Sequence, residues 1–117
     1  MGLRKLVLSC LLLLSFEASA AYTCHGLVKG LSIEARTGDV LVERIGPLQW
    51  PRLCKVDGEH EGISAEACRT VYSTLMTAQV SQKSVTLWFN DNKDCSAASH
   101  APWQWLTGWY FGPRLVD

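Results

Sequence analysis

Apolar and polar positions change period several times along this 117-residue chain, and each change marks an element. Residues 26–35 place Leu27, Leu31 and Ile33 in a strand-like stretch, and Arg36-Thr37-Gly38-Asp39 is a turn signal. Residues 40–45 (Val-Leu-Val-Glu-Arg-Ile) then read as the returning strand of a hairpin, interrupted by Gly46-Pro47. Residues 48–56 are irregular around Pro51 and regain apolar character at Leu53, Cys54 and Val56. Residues 57–62 are polar and acidic, a loop. Ser64 opens the clearest element: it can cap a helix whose first turn holds Glu66, where the helix dipole favours a carboxylate. Cys68, Val71, Tyr72, Leu75 and Ala78 or Gln79 fall on one helical face, with Arg69, Thr70, Ser73 and Thr77 opposite. The spacing predicts a helix ending between Gln79 and Gln82.

Residues 84–90 alternate, with Val85, Leu87 and Phe89 on one face and Thr86, Trp88 and Asn90 on the other. A turn over 91–94 and a loop of small residues over 95–102 follow. Residues 106–111 read as a last strand that Gly112-Pro113 ends. The order is strand, strand, strand, helix, strand, strand. One helix between the third and fourth strands of a five-stranded antiparallel set is the order of an OB-like Greek-key barrel. An open α+β sheet with one helix packed on it is the alternative.

The N-terminus sets the compartment. Arg4 and Lys5 precede an apolar run over 6–16, and Ala18-Ser19-Ala20 gives a cleavage pattern, so residues 1–20 read as a signal peptide. The run falls short of the roughly 20 apolar residues a membrane helix needs, and no later segment reaches that length. The expectation is one domain over 21–117, periplasmic or secreted after cleavage near Ala20, with no membrane span. The whole chain carries 11 basic and 11 acidic residues; a leader taking Arg4, Lys5 and Glu17 leaves a charge near −1. No basic face is available for nucleic acid. Cys24, Cys54, Cys68 and Cys95 remain, an even number that reads as two disulfides in an oxidising compartment. Of three possible pairings we favour Cys54–Cys68, a short local closure, with Cys24–Cys95 tying the first strand to a late one.

A resemblance rests on residues 66–90, where a helix carrying Tyr72-Ser73-Thr74 leads through Ser81-Gln82-Lys83-Ser84-Val85 into a strand, and on Phe111-Gly112-Pro113. In layout this half of the chain resembles the OB-fold B subunits of bacterial AB5 toxins, in the subtilase-cytotoxin and pertussis-like group. The resemblance implies an OB fold, a ring (pentameric in that group) and recognition of host glycans. The first half of the chain departs from that group, and no glycan-site motif can be carried over residue by residue.

Catalytic patterns are missing. There is no G-x-S-x-G, and Ser96 and Ser99 near His100 have no evident carboxylate-oriented partner. Cys24-His25 lacks further ligands at metal spacing. Asn90-Asp91-Asn92-Lys93-Asp94 lacks the glycine and terminal glutamate of a calcium loop and reads as a polar turn. His60 lies between Glu59 and Glu61, a solvated loop or a site that titrates. We therefore read the chain as non-enzymatic, without cofactor or metal. The remaining candidates are aromatic. Trp103, Trp105 and Trp109, with Trp88 and the Asn90, Asp91 and Asn92 turn, can form a ligand platform, a subunit interface or core. Strand periodicity sets Leu106 and Tyr110 on one face and Trp109 and Phe111 on the other, and it predicts a stacked Trp88–Trp109 pair. The function expected is an exported binding module for a glycan, assembled as a homo-oligomer. The alternative is a protein-interaction or inhibitor domain.

Overall fold

The computed structural model describes residues 21–116; the expected leader lies outside the described residues. Among the described residues, six strands and one helix form in the order β1 (Tyr22–Glu34), β2 (Asp39–Ile45), β3 (Leu48–Gln49), β4 (Arg52–Lys55), α1 (Ala65–Ser81), β5 (Ser84–Phe89) and β6 (Trp109–Leu115). The class is mainly β with one helix and two disulfides. The count of five strands, with a helix between the third and fourth, is corrected: there are six, and α1 lies between β4 and β5. The cause is local. Pro51 has no N–H to give a ladder, and Trp50 turns into a left-handed backbone (φ 48°). The expected third strand is therefore cut into β3 and β4, both paired with β2.

The long strand β1 organises the sheet. Its first half, 22–27, pairs antiparallel with β5, and its second half, 28–34, pairs antiparallel with β2. The change of partner falls where Gly26 and Gly46 meet. A β-carbon on Gly26 would clash with the Gly46 backbone, and one on Gly46 with the His25 carbonyl, so only glycine permits this crossing. β6 pairs with the other side of β5. The segment ahead of β6 then returns to β4: Arg52 N–H donates to the Gln104 carbonyl (3.2 Å), and Leu106 N–H to the Arg52 carbonyl (2.9 Å). All pairings between the named strands are antiparallel, as expected; the isolated Arg52–Trp105 bridge, which lies outside them, is parallel.

Inside lies one apolar cluster. Val40, Val42 and Ile45 of β2, Val85, Leu87 and Phe89 of β5, and Cys68, Leu75 and Ala78 of α1 all lose their surface to it. The helix begins and ends as its sequence dictates. Ser64 Oγ accepts from Ala67 N–H, and Gln82 closes the other end in a left-handed conformation. Gln79 Oε1 accepts the Leu31 N–H (2.9 Å), hooking the helix onto β1.

Cys54–Cys68 joins β4 to the first turn of α1, and Cys24–Cys95 joins β1 to the loop after β5, the pairing favoured from spacing. Loop-closure entropy assigns about 3 kcal/mol to a loop of 14 residues and about 4 kcal/mol to one of 71. A domain this small has little else in reserve. Reduction is therefore expected to lower Tm by roughly 20 °C or more, at about 4–8 °C per kcal/mol. Thermal melts with and without reductant check this, and an unchanged Tm would contradict it.

Candidate functional site

The break at Trp50-Pro51 that splits the third strand also builds a cleft. Trp50 and Trp103 both adopt left-handed backbone (φ 48° and 70°), where a side chain costs about 1–2 kcal/mol per residue. They hold one another there: Trp50 N–H donates to the Glu43 carbonyl (3.0 Å), and Trp103 N–H to the Trp50 carbonyl (2.9 Å). Their rings stack, centroids 4.4 Å apart and planes within 13°. Such a stack contributes about 0.5–1.5 kcal/mol beyond burial, too little to offset both strained residues. Backbone hydrogen bonds to neighbouring strands carry the remainder. Strain held in this way concentrates at binding sites.

Half of the Trp103 surface stays open (51 % exposed). Beside it runs a cleft of about 320 Å³, bounded by Ser32, Ile33 and Glu34 at the end of β1, by Leu41, and by Trp50, Arg52 and Trp103. Leu41 explains how the cleft is floored. It points away from the main cluster yet is 3 % exposed, because the cleft residues cover it. A larger hollow of about 560 Å³ lies between β1 and the end of α1, lined by Leu27, Lys29, Gly30 and Gln79 among others. It has no aromatic platform, so the smaller cleft has the better chemistry for recognition.

Arg52 is the polar centre of the cleft. Its Nη1 donates to Glu34 Oε2 (2.5 Å) and to Asp39 Oδ2 (2.5 Å), and its Nε to the Trp103 carbonyl (3.1 Å). Its guanidinium lies 5.7 Å from the Trp105 ring centre, within cation–π range. Lys55 Nζ completes the group, donating to Asp39 Oδ1 and the Thr37 carbonyl, both at 2.8 Å. The hydrogen bond from Arg52 holds the Glu34 carboxyl below its ordinary pKa. Burial works to raise that of Asp39, but bonds from Lys55 and Arg52 outweigh it and leave the group low. His60 stacks on Trp105, ring centroids 3.6 Å apart.

The other expected residues lie in different surroundings. Trp88 meets Phe111 edge-on (5.2 Å), so the predicted Trp88–Trp109 stack is replaced. Register shifts in the β5–β6 pairing set Phe111 opposite Trp88 and Trp109 opposite Phe89. Trp109 instead packs against the core, its Nε1 buried without a partner. The last strand also begins later than expected and runs through Gly112-Pro113 to Leu115. Asn90 and Asn92 are exposed, while Asp91 packs its carboxylate on Gly108, where a β-carbon would collide with it. Asp94 Oδ1 accepts from Ser96 N–H (2.9 Å), Ser96 Oγ (2.5 Å) and Ser99 Oγ (2.8 Å). Both hydroxyls are thereby spent on a turn. His100 is buried, bonds Tyr22 Oη through Nε2 (2.9 Å), and is pushed toward its neutral form by desolvation.

The arrangement thus gathers Trp103 and Trp105 and leaves Trp88, Trp109 and the 90–92 turn elsewhere. Trp50, Arg52, Glu34 and His60 were not anticipated in the site. The signal that could have found the first two is the Trp50-Pro51-Arg52 string, an aromatic and a cation flanking a strand-breaking proline. Among the described residues no group of three or more His, Cys, Asp or Glu side chains can hold a metal, and no helix is long and apolar enough to cross a membrane. No family model, curated protein or solved structure matches the chain.

Asp94 gives a test of the turn that carries Cys95. Its bonds from the Ser96 hydroxyl, then the Ser96 N–H and Ser99, lower its pKa from the ordinary 3.8 to about 2. A carboxyl depressed in the folded state adds stability above its unfolded pKa and loses it as pH falls through the folded one. The wild-type advantage in Tm over Asp94→Asn is therefore expected in full above about pH 5 and to close as pH falls toward 2. A pH series of melts reads the difference directly.

Proposed function

We propose that the chain is an exported, non-catalytic binding module that recognises a glycan in the Trp50–Trp103 cleft. One observation carries this reading: a half-exposed, strained tryptophan stack stands over a cleft whose polar wall is a Glu34–Arg52 pair. Aromatic faces suit the C–H faces of a sugar, and paired carboxylate and guanidinium groups suit its hydroxyls. The two disulfides fit an oxidising compartment, periplasmic or extracellular, as the leader sequence implies. An OB-like barrel is supported by β1 pairing on both sides and by the parallel Arg52–Trp105 bridge, which brings the segment leading into β6 back to β4. That is the fold implied by the resemblance to toxin B subunits.

Trp103→Gly separates binding from folding. Glycine occupies the left-handed region freely, so strain relief offsets the lost stack and Tm shifts little. On a glycan array the same variant is expected to lose at least tenfold in affinity, about 1.4 kcal/mol. Unchanged binding would remove the cleft from the function.

A second reading, docking of a protein or of a sister subunit, is favoured by a separate surface. Tyr110 and Phe111 on β6 are 57 % and 58 % exposed. They border shallow grooves of about 360 and 400 Å³ against Val71 of α1. Large aromatics left open in this way are enriched at interfaces. If the chain forms a homo-oligomer through this face, Tyr110→Ser with Phe111→Ser should yield monomers by light scattering. A wild-type chain that is already monomeric, and that captures no partner through this face, would sink this reading.

A further inference from the structure

We propose that the sugar accepted by the Trp50–Trp103 cleft is uncharged, and that Glu34 selects it by accepting hydrogen bonds from its hydroxyls. This rests on the glycan reading of the cleft. An anionic glycan calls for a net positive charge in the cleft, and here each cation is already paired with a carboxylate. Arg52 has five N–H donors, and three are taken: two by Glu34 and Asp39, one by the Trp103 carbonyl. Lys55, the other cation of the group, is bound to Asp39 and to the Thr37 carbonyl. Two carboxylates face two cations, so the wall is neutral as a whole.

Displacing Arg52 toward a ligand anion would strip Asp39 of one of its two cations. Asp39 is 5 % exposed, and a buried carboxylate left underpaired is strongly disfavoured. Glu34 differs from Asp39. Its side chain is 43 % exposed, and Arg52 occupies only its Oε2. The cleft thus presents an accessible carboxylate at its rim. It repels a second anion and makes strong, charge-assisted bonds with hydroxyl donors. The Arg52 Nη2 group, free of bonds to Glu34, Asp39 and Trp103, can donate to a sugar oxygen from the adjoining position. Trp103 supplies a face for the ring's C–H surface. Selection of neutral over anionic sugars follows from a carboxylate that is fixed in place yet open to solvent.

The test uses the full chain on a glycan array, with titration calorimetry for the strongest ligands. Hexose- and N-acetylhexosamine-terminated glycans are compared with the same glycans capped by a carboxylated or sulfated sugar. The neutral forms are expected to bind, and each anionic cap to weaken binding at least tenfold. Glu34→Gln, with Tm near wild type, should weaken neutral binding at least tenfold and narrow the gap to the capped forms. Neutral binding should change little from about 0.1 to 1 M salt, where an ion-paired ligand would be screened. A wild-type preference for capped glycans that Trp103→Gly abolishes would overturn the neutral selection and leave the glycan reading standing. Neutral binding untouched by Glu34→Gln would overturn the role of Glu34. No binding to any glycan, or binding that survives Trp103→Gly, would overturn both.

Discussion

Arg52 ties its own strand to two stretches of chain far from it in sequence, the β1–β2 turn and the segment at 103–106. Its side chain bonds Glu34 at the end of β1, Asp39 at the start of β2 and the Trp103 carbonyl. Its backbone N–H and carbonyl bridge the segment at 104–106. Asp39 could not lie at 5 % exposure without this and Lys55, because an unpaired buried carboxylate is far more costly than the hydrogen bonds of a surface pair. Once Asp39 is fixed, the β1–β2 turn, the course of β4 and the position of the Trp103 loop are set with it. The cleft is a consequence of that tie, since its walls are the residues Arg52 draws in.

Much of the scaffold was legible because its causes are local. Ser64 and the spacing of Cys68, Leu75 and Ala78 specify α1 within one chain segment, and the alternation of Val85, Leu87 and Phe89 specifies β5 and its buried face. The turn at Thr37-Gly38 is closed by its own Glu34 carbonyl. The misplacements have non-local causes. β6 shifted because its register follows irregularities in the pairing with β5, which no property of residues 106–111 announces. The third strand split because Trp50 turns left-handed and Pro51 has no N–H, which interrupts the regular ladder with β2 although Trp50 N–H still reaches the Glu43 carbonyl.

The cleft was hidden for a related reason. Trp50 and Trp103 are 53 positions apart, and their stack requires both to leave the usual backbone regions. Propensity reasoning assigns left-handed backbone to glycine and asparagine and would not place it at either tryptophan. The aromatic run near the C-terminus was visible as a candidate, but its division was not. Trp103 and Trp105 join β4 and the His60 loop, whereas Trp109 belongs to the core. Composition alone could not separate a platform from a packing residue.

The division matters because the proposed binding and the proposed assembly would use different surfaces of one small domain. The cleft uses the end of β1, Leu41, Trp50, Arg52 and Trp103, and the grooves flanking Tyr110 and Phe111 use α1 and β6; they share no residue. Covering the β6 face would leave the cleft residues untouched. The two surfaces also differ in what they ask of a partner. Trp103 is fixed by stacking and by strained backbone, so little ordering entropy is lost when a small rigid ligand meets it. Tyr110 and Phe111 offer area without charge and without comparable fixation, which suits a broad, shallow contact. Under the two proposals, a neutral polar cleft and an aromatic strand face would serve separable functions of one fold, the first decided by hydrogen bonds to Glu34 and the second by buried area.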